Sequence, residues 1–597
     1  MTDPSPPSPR LPPEQRWLAP PFHALLNTWL GIAASSSIAL FYTLNIRRPE
    51  NTEYFFLRQD LPALFIWIFT IIGLGLFGRT RVSPVDRRVQ LEQRTQVFLL
   101  SAICLVAGAL GQAVIFDGYT LSLDEFLANF DAKIFAHGQW MAPVAPEWRP
   151  FTPALQPMYL LPTHGDFWAS SYLPVNAAMR AAASAVGCEG LVNPLLSAFS
   201  VVAVWGVGRQ LWPDRPALAL GAAALLATSP QLIVMSMTAY AMPAHLAFNL
   251  AWLWLYLRGG RLGHAGAIAT GFVASGIHQL IFHPLFAAPF ILQLWLERRW
   301  WAALAYTLAY GLITGFWIEY WQVEFKLLGV AAASAPSVGG DWFVKRISDI
   351  LDSVRLRAIG QMGQSLFRFV TWQNPLTAPL AVLGLGVAVK AKGYLRAMVA
   401  GVFITLMAVA ILVPSQVHGW GYRYLHGLLG SICLIAAWTW DRLTRSLPAP
   451  QKAAAARAFA VACVTSLVVL TPFRAWQAWR YVRPYALASR QIQSATAQVV
   501  IVDHWDTPGF DAGTVVRNDP YLSHGPKVME LAFMNRRILR QACERYTVQV
   551  FDGRDAAADG IDVDRFKRPP GVARLRALMR TLNCGQPLLA ATPRPAA

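Results

Sequence analysis

The sequence predicts an all-α polytopic membrane protein that ends in a small C-terminal α/β domain. Three observations predict it. Of 597 residues, 55% are hydrophobic and only 14% charged, a balance that excludes disorder. About thirteen apolar segments approach the ~20 residues that a bilayer requires, although several are short or broken by proline. Arginine clusters fall between these segments in alternation, as the positive-inside rule demands. Those clusters account for the formal net charge of +18. With no RNA- or DNA-binding motif beside them, nucleic acid is excluded as a partner.

Residues 1–21 are Pro-rich and polar without an apolar core, so they read as a disordered cytoplasmic tail rather than a cleavable signal. The membrane region, 22–472, opens with spans at 22–42 and 61–77. Arg79, Arg81, Arg87, Arg88 and Arg94 follow, which places that loop in the cytoplasm. A third span, 96–116, then delivers the long loop 117–190 to the opposite side. Further spans are expected at 191–211, 217–234, 244–257, 264–280, 284–296, 301–321, 375–389, 397–413, 425–440 and 458–470. The segment 322–374 is a basic outer loop with few spanning features, and no internal repeat is visible. Residues 473–597 have ordinary soluble composition and form an extracytoplasmic domain. Within it VVIVDHW reads as a strand, and KVMELAFMNRRILRQACERY as a strand followed by a helix. Cys104, Cys433 and Cys463 sit in apolar runs as packing residues. Cys543 and Cys584 are the only cysteines in the exported domain, and an oxidising compartment predicts a disulfide between them.

Loop 117–190 is the stretch with chemistry. Ser122 stands three residues before Glu125, a capping-box spacing. Phe126, Phe130 and Ile134 then recur at helical spacing and Gly138 suits the stop. The result is an amphipathic helix at the membrane surface with Asp124 and Glu125 in its first turn. A second helix is expected near 174–186, with Trp140, Trp148 and Trp168 between the two, so the loop is a structured lid. An acidic first turn also complements the helix dipole, and capping alone explains Glu125 equally well.

This layout resembles the membrane glycosyltransferases of the GT-C superfamily. The likeness is to the branch that includes protein O-mannosyltransferases, the lipid A aminoarabinose transferase and rhizobial lipopolysaccharide galacturonosyltransferases, a family-39-like group. SLDEFLANFDAKIFAHGQ is similar to the family's Asp-Glu element and following helix. NPLLSAFSVVAVWGVGRQLW and SPQLIVMSMTAYAMPAHLAF are similar to the next span and its outer turn. HQLIFHPLFAAPF and HGWGYRYLHGLLG resemble outer-edge segments of bacterial members. The likeness covers about 99–440, and two spans precede the one leading to Asp124, where the family has fewer; an even number of additions keeps the loop outside.

The resemblance implies an inverting glycosyltransferase that moves a sugar from a polyprenyl-phosphate donor to an acceptor hydroxyl, lipid, polysaccharide or protein. The expected site is the periplasmic face of a bacterial inner membrane. The chemistry asks for a base and for cations on the lipid phosphate. Asp124 is the candidate base and Glu125 its partner. Arg423, Lys133, Tyr422 and His418 are the candidates for the phosphate, with Tyr424 and His426 beside them; an interfacial anchor is the competing reading of Arg423, and a solvated face that of Lys133. His278 and His283 lack a third ligand at helical spacing, so no metal and no cofactor is expected. Tyr240 reads as a belt and packing residue, although aromatic rings also stack on sugars. The alternative function is a transporter or flippase of lipid-linked sugars, and a third is a non-catalytic scaffold. Against the transporter, the spans carry almost no charge at mid-depth.

Overall fold

The computed structural model describes residues 20–46, 51–77, 91–155, 158–161, 163–330, 356–388, 393–413, 415–416, 418–505, 510–563 and 570–588. The expectations for the tail 1–19, for Arg79, Arg81, Arg87 and Arg88, and for loop 331–355 lie outside them.

Every one of the thirteen apolar segments is helical. Among the described residues, seven helices are long and apolar enough to cross a bilayer, or eight if one bent pair counts as a single span. Helix α1 is Pro20–Leu44. Next come α2 (Asn51–Phe55), a π-turn at Phe56–Asp60 and α3 (Leu61–Phe77), forming one continuous rod. Helix α4 (Gln93–Val114) leads to α5 (Leu123–Ala136), then the single turn α6 (Thr152–Leu155) and α7 (Val175–Ser184). Returning to the bilayer are α8 (Val192–Leu211), α9 (Pro216–Ala227) and α10 (Pro230–Ser236). The last two form the bent pair, at 56°. Ser229 caps α10 through Leu232 N–H and Pro230 occupies its first position, so the chain restarts at a new angle.

The remaining membrane helices are α11 (Met242–Arg258), α12 (Gly260–Ser275), α13 (Phe282–Leu296) and α14 (Trp300–Leu328). They continue with α15 (Leu356–Thr371), α16 (Thr377–Ala388), α17 (Tyr394–Leu412) and α18 (Leu429–Thr444). The last rod joins α19 (Ala449–Thr465), a π-turn at Ser466–Leu470 and α20 (Thr471–Gln493) into 45 residues. It runs past 473 without a break, so a continuous helix joins the membrane region to the tail.

The bilayer-facing residues read as such: Phe41 and Phe69 are 72% exposed and Phe98 70%, values that only lipid makes acceptable for an integral membrane protein. Helices α8, α9, α10 and α11 are instead buried along most of their length, with α10 buried at every residue. Close approach there relies on small residues. A Cβ at Gly208 would lie 2.9 Å from the Ala219 Cα, so α8 and α9 touch backbone to backbone.

The tail is a four-stranded parallel sheet in the order β4-β3-β5-β6: β3 (Val499–Val502), β4 (Lys527–Glu530), β5 (Val548–Phe551) and β6 (Gln586–Pro587). A short antiparallel pair, β1 (Ala142–Pro143) with β2 (Phe167–Trp168), lies in the lid. All four residues of β3 are buried, as expected where both faces of a parallel sheet are covered. Period-two alternation divides them between two cores. Val500 and Val502 join the core of the membrane region, while Val499 and Ile501 pack with the lid residues Leu127, Phe130 and Trp168. Helices α21 (Arg536–Arg545), α22 (Gly553–Ala558) and α23 (Pro570–Thr581) complete the domain.

Cys543 on α21 and Cys584 before β6 form the predicted disulfide, with Cα atoms 5.6 Å apart and a sequence separation of 41. Closing a loop of that length is worth about 4 kcal/mol in the chain-entropy account. Replacing both cysteines by serine is therefore expected to make the tail the first part of the protein to be cleaved by protease in rising urea. An unchanged cleavage midpoint would show the bridge to be dispensable.

Candidate active site

The site grows from the capping box at the start of α5. Ser122 Oγ accepts from Glu125 N–H at 3.2 Å, and Glu125 accepts in return from Ser122 N–H at 3.1 Å. The box buries Glu125 completely and ties it to the membrane core, because Ala239 N–H, just before α11, donates to Glu125 Oε1 at 3.3 Å. Asp124 is thereby turned the other way, into the cleft between the lid and the segment 418–428.

There Asp124 meets Arg423, 299 residues later in the chain, in an ion pair between side chains only 15% and 13% exposed. Tyr172 O–H donates to the second carboxylate oxygen of Asp124. His278 stacks on Tyr172 with ring centres 4.0 Å apart, and the Arg423 guanidinium lies over Tyr240 and Tyr424 at 5.9 and 5.1 Å. Arg423 sits at the start of a 3-10 turn, Arg423–Leu428. Gly421 before it has φ +80°, and a Cβ there would strike the Gln231 side chain; Gln231 receives Tyr422 N–H and donates to Tyr422 C=O, so that side chain locks the turn.

The neighbouring carboxyls titrate in opposite directions. For Asp124, burial opposes ionisation, but the charge of Arg423, then His278 and the Tyr172 hydroxyl, outweighs it and holds the carboxyl below its ordinary value. Glu125 is pushed up to about 7, by burial first, with the Ser122 and Ala239 bonds opposing and the Asp124 charge adding a little. Asp131, one face further along α5, rises to about 6 through burial, countered by bonds from Ser170.

Lys133 does not join this group. It is exposed near the far end of α5, nine residues or about 13 Å of helix from Asp124, and its charge acts on Asp519 of the tail. Tyr422 is fully buried with its hydroxyl on Met362 Sδ at 3.4 Å, and His418 is buried among Phe55, Trp420 and Phe510, 3.3 Å from the Tyr240 hydroxyl. The structure thus brings together Asp124 and Arg423 and packs Glu125, Tyr422 and His418 around them. Tyr172 was missed by sequence reasoning, since nothing local marks it; Tyr240 was read chiefly as a belt and packing residue. Among the described residues no three His, Cys, Asp or Glu side chains are grouped to hold a metal.

Just outside the expected spans the helices carry buried charge: Asp60, in the π-turn, is paired with Arg368 at 2.9 Å and with Arg474 at 3.6 Å, all three side chains no more than 4% exposed. Arg368 was assigned to the basic outer loop. In the structure it lies on α15 and donates to the Gly419 carbonyl at 2.7 and 3.0 Å and to the Gly421 carbonyl at 3.3 Å. Trp372 Nε1–H and Arg474 complete the hub. These charges satisfy one another and hold the Arg423 turn, which is why they survive in a membrane core.

No family model matches the sequence, and no curated protein matches it. Several solved structures are similar to it, two of them of one protein. One is ArnT from Cupriavidus metallidurans in the apo state, with 14% identity and a TM-score of 0.45, covering 73% of this chain and 86% of that one. The other is the same protein bound to undecaprenyl phosphate, with 14% identity, a TM-score of 0.44 and the same coverage. ArnT belongs to the branch that the Asp-Glu loop resembles. At that score and identity the likeness is to the course of the chain, and it carries no conclusion about chemistry.

The Glu125 carboxyl gives a pH-dependent expectation. Its folded-state value of about 7 lies above the 4.5 of the free side chain, so the folded protein keeps this proton longer than the unfolded one. Stability is therefore lost as pH rises from about 4.5 to about 7, by up to about 3 kcal/mol. Glu125→Gln keeps the cap and removes the titration. Its melting temperature should gain on that of the native protein between pH 5 and pH 8; parallel curves would show that Glu125 is ionised throughout.

Proposed function

We propose that the protein is a membrane glycosyltransferase that moves a sugar, with inversion, from a polyprenyl-phosphate donor to an acceptor hydroxyl. The single observation that supports this reading is the Asp124–Arg423 pair at the junction of lid and membrane core. A carboxylate and a guanidinium in one nearly dry cleft are the two groups the reaction needs. The acceptor oxygen attacks the anomeric carbon and its proton passes to the Asp124 carboxylate. The bond from that carbon to the phosphate oxygen breaks, the electron pair leaves with the phosphate, and Arg423 stabilises the growing charge. In the resting structure the two groups neutralise each other, which keeps Asp124 ionised at neutral pH. Arrival of the donor phosphate at Arg423 would loosen the pair and leave the carboxylate free to act. Glu125 positions Asp124 through the cap. Tyr172 orients it.

The same reading places the lid, the site and the domain 473–597 at the periplasmic face of a bacterial inner membrane, with residues 1–21 in the cytoplasm. Reporter fusions at Ser83 and Thr507 should then fall on opposite sides, and same-side labelling would overturn the orientation.

The decisive assay supplies purified protein with a polyprenyl-phosphate-linked sugar and hydroxyl acceptors. Release of polyprenyl phosphate is expected. Asp124→Asn should slow it by roughly 10²–10⁴-fold while donor binding and the melting temperature stay near native. Movement of the lipid across a vesicle without cleavage would instead establish a flippase, and a native rate in Asp124→Asn would leave Asp124 as a capping neighbour only.

A further inference from the structure

Arg423 uses only part of its guanidinium on Asp124. Nη1 makes the ion pair, Nη2 donates to the Tyr424 hydroxyl at 3.4 Å, and Nε finds no partner among the described residues. A cavity with a volume of ≈ 10 Å³ lies against this side chain, the room of a single water or one oxygen atom. His245 and Thr405 line it together with Arg423, and its remaining walls include Met242 and Phe282.

His245 is 3% exposed, and both its ring nitrogens are buried without a partner among the described residues. Thr405 is 2% exposed and its hydroxyl is likewise unpartnered. That is unusual in this protein: Thr28, Thr228 and Thr439 each return the hydroxyl to the carbonyl four residues earlier. Asn249, also on the wall, has both amide atoms engaged, with the Gly427 carbonyl and His283. The unused polar atoms of the cavity are thus Arg423 Nε, Thr405 Oγ and the two ring nitrogens of His245, which offer a donor from each of three separate elements, α11, α17 and the Arg423 turn. Leaving such groups unpaired in an apolar setting is costly, so a ligand atom that accepts from all three would be strongly held.

We propose that this cavity is an oxyanion pocket for one oxygen of the phosphate on the lipid carrier, bound by Arg423 Nε, Thr405 Oγ and His245. The assignment rests on the glycosyltransferase reading and adds to it two residues, His245 and Thr405, that no sequence pattern marked. An oxygen bearing negative charge can accept from Arg423 Nε, from the Thr405 hydroxyl and from the protonated ring nitrogen of His245 together, and the guanidinium favours it by charge. His245 lies one turn inside α11 and Thr405 two turns from the end of α17. As the bond to the sugar breaks, charge grows on this phosphate and each of the three bonds strengthens.

The test compares binding of polyprenyl phosphate and of uncharged polyprenol to the purified full-length protein, by calorimetric titration in detergent. The native protein should prefer the phosphate. Thr405→Val, which keeps shape, and His245→Phe, which keeps a ring, should each weaken polyprenyl phosphate binding roughly tenfold or more while polyprenol binding stays unchanged. Thr405→Ser restores the hydroxyl and should bind as the native protein does. Native-like phosphate affinity in both Thr405→Val and His245→Phe would overturn the pocket but leave the glycosyltransferase reading intact. Equal loss for both lipids would reveal a merely structural role and overturn it too. Should inorganic phosphate alone bind, in a manner abolished by Thr405→Val, the pocket serves a free anion and the lipid assignment falls. If the native protein does not distinguish polyprenyl phosphate from polyprenol, the pocket and the functional reading fail together.

Discussion

The arrangement of lid over membrane core depends on one ion pair placed almost out of water. Bringing Asp124 and Arg423 together costs each its hydration, and Coulomb attraction offsets that only with good geometry and extra hydrogen bonds. The chain supplies them from three residues: Tyr172 in the lid donates to Asp124, Tyr424 accepts from Arg423, and the rings of Tyr240 and Tyr424 face the guanidinium. A pair held from so many sides is preorganised. Arg423 is already held at the cleft when a negative group approaches, a condition under which electrostatic stabilisation is most effective.

The Asp60 hub solves the companion problem of holding the arginine turn. The segment 418–428 has no regular strand or long helix to fix it, and its glycines at 419 and 421 leave carbonyls that must be satisfied inside the membrane region. Arg368 takes both, and Asp60 pairs with Arg368 and with Arg474. The π-turn at Phe56–Asp60 is the local distortion that brings Gln59 and Asp60 to face this hub, with the Gln59 side chain on Arg368 and its carbonyl on Arg474. A polar cluster of this kind would suit a transport path. Here its atoms are spent on one another and on backbone carbonyls, and it reads as a brace.

How much of this was legible follows from the range of each interaction. The cap at Ser122 and Glu125 is a three-residue signal and it was readable; so were the apolar runs, the strand VVIV and the helix that carries Cys543. The alternation of basic clusters organised the spans, yet composition could not tell which helices face lipid and which, like α10, are enclosed by others. That distinction comes from packing. The charge on Asp60 was invisible for a different reason. Its partners lie 308 and 414 residues away, and a lone acid next to an apolar run looks like a span boundary. Arg423 was found because it stands among aromatics near a span end. Tyr172, His245 and Thr405 carry no such mark, because a hydroxyl or imidazole on an apolar face is ordinary until its neighbours are known.

The tail bears on the site through the same logic of satisfied carbonyls. Arg517 donates to the carbonyls of Thr120 and Leu121, the two residues just before the Ser122 cap, at 3.3 and 3.0 Å, and to Gly513 and Val516 of its own domain. Its guanidinium also covers Phe126 at 4.7 Å. Asn518 reaches the Leu155 carbonyl, and the Pro520 carbonyl receives Trp168 Nε1–H at 2.7 Å. The contacts that cross from the tail end on lid backbone or on the lid rings Phe126 and Trp168. The lid is therefore held between two bodies that a single 45-residue helical rod connects. A lid on a short loop could drift by the ångström that ruins a base, whereas one clamped at its cap from both sides cannot. The tail contributes rigidity to the one turn of helix on which Asp124 sits.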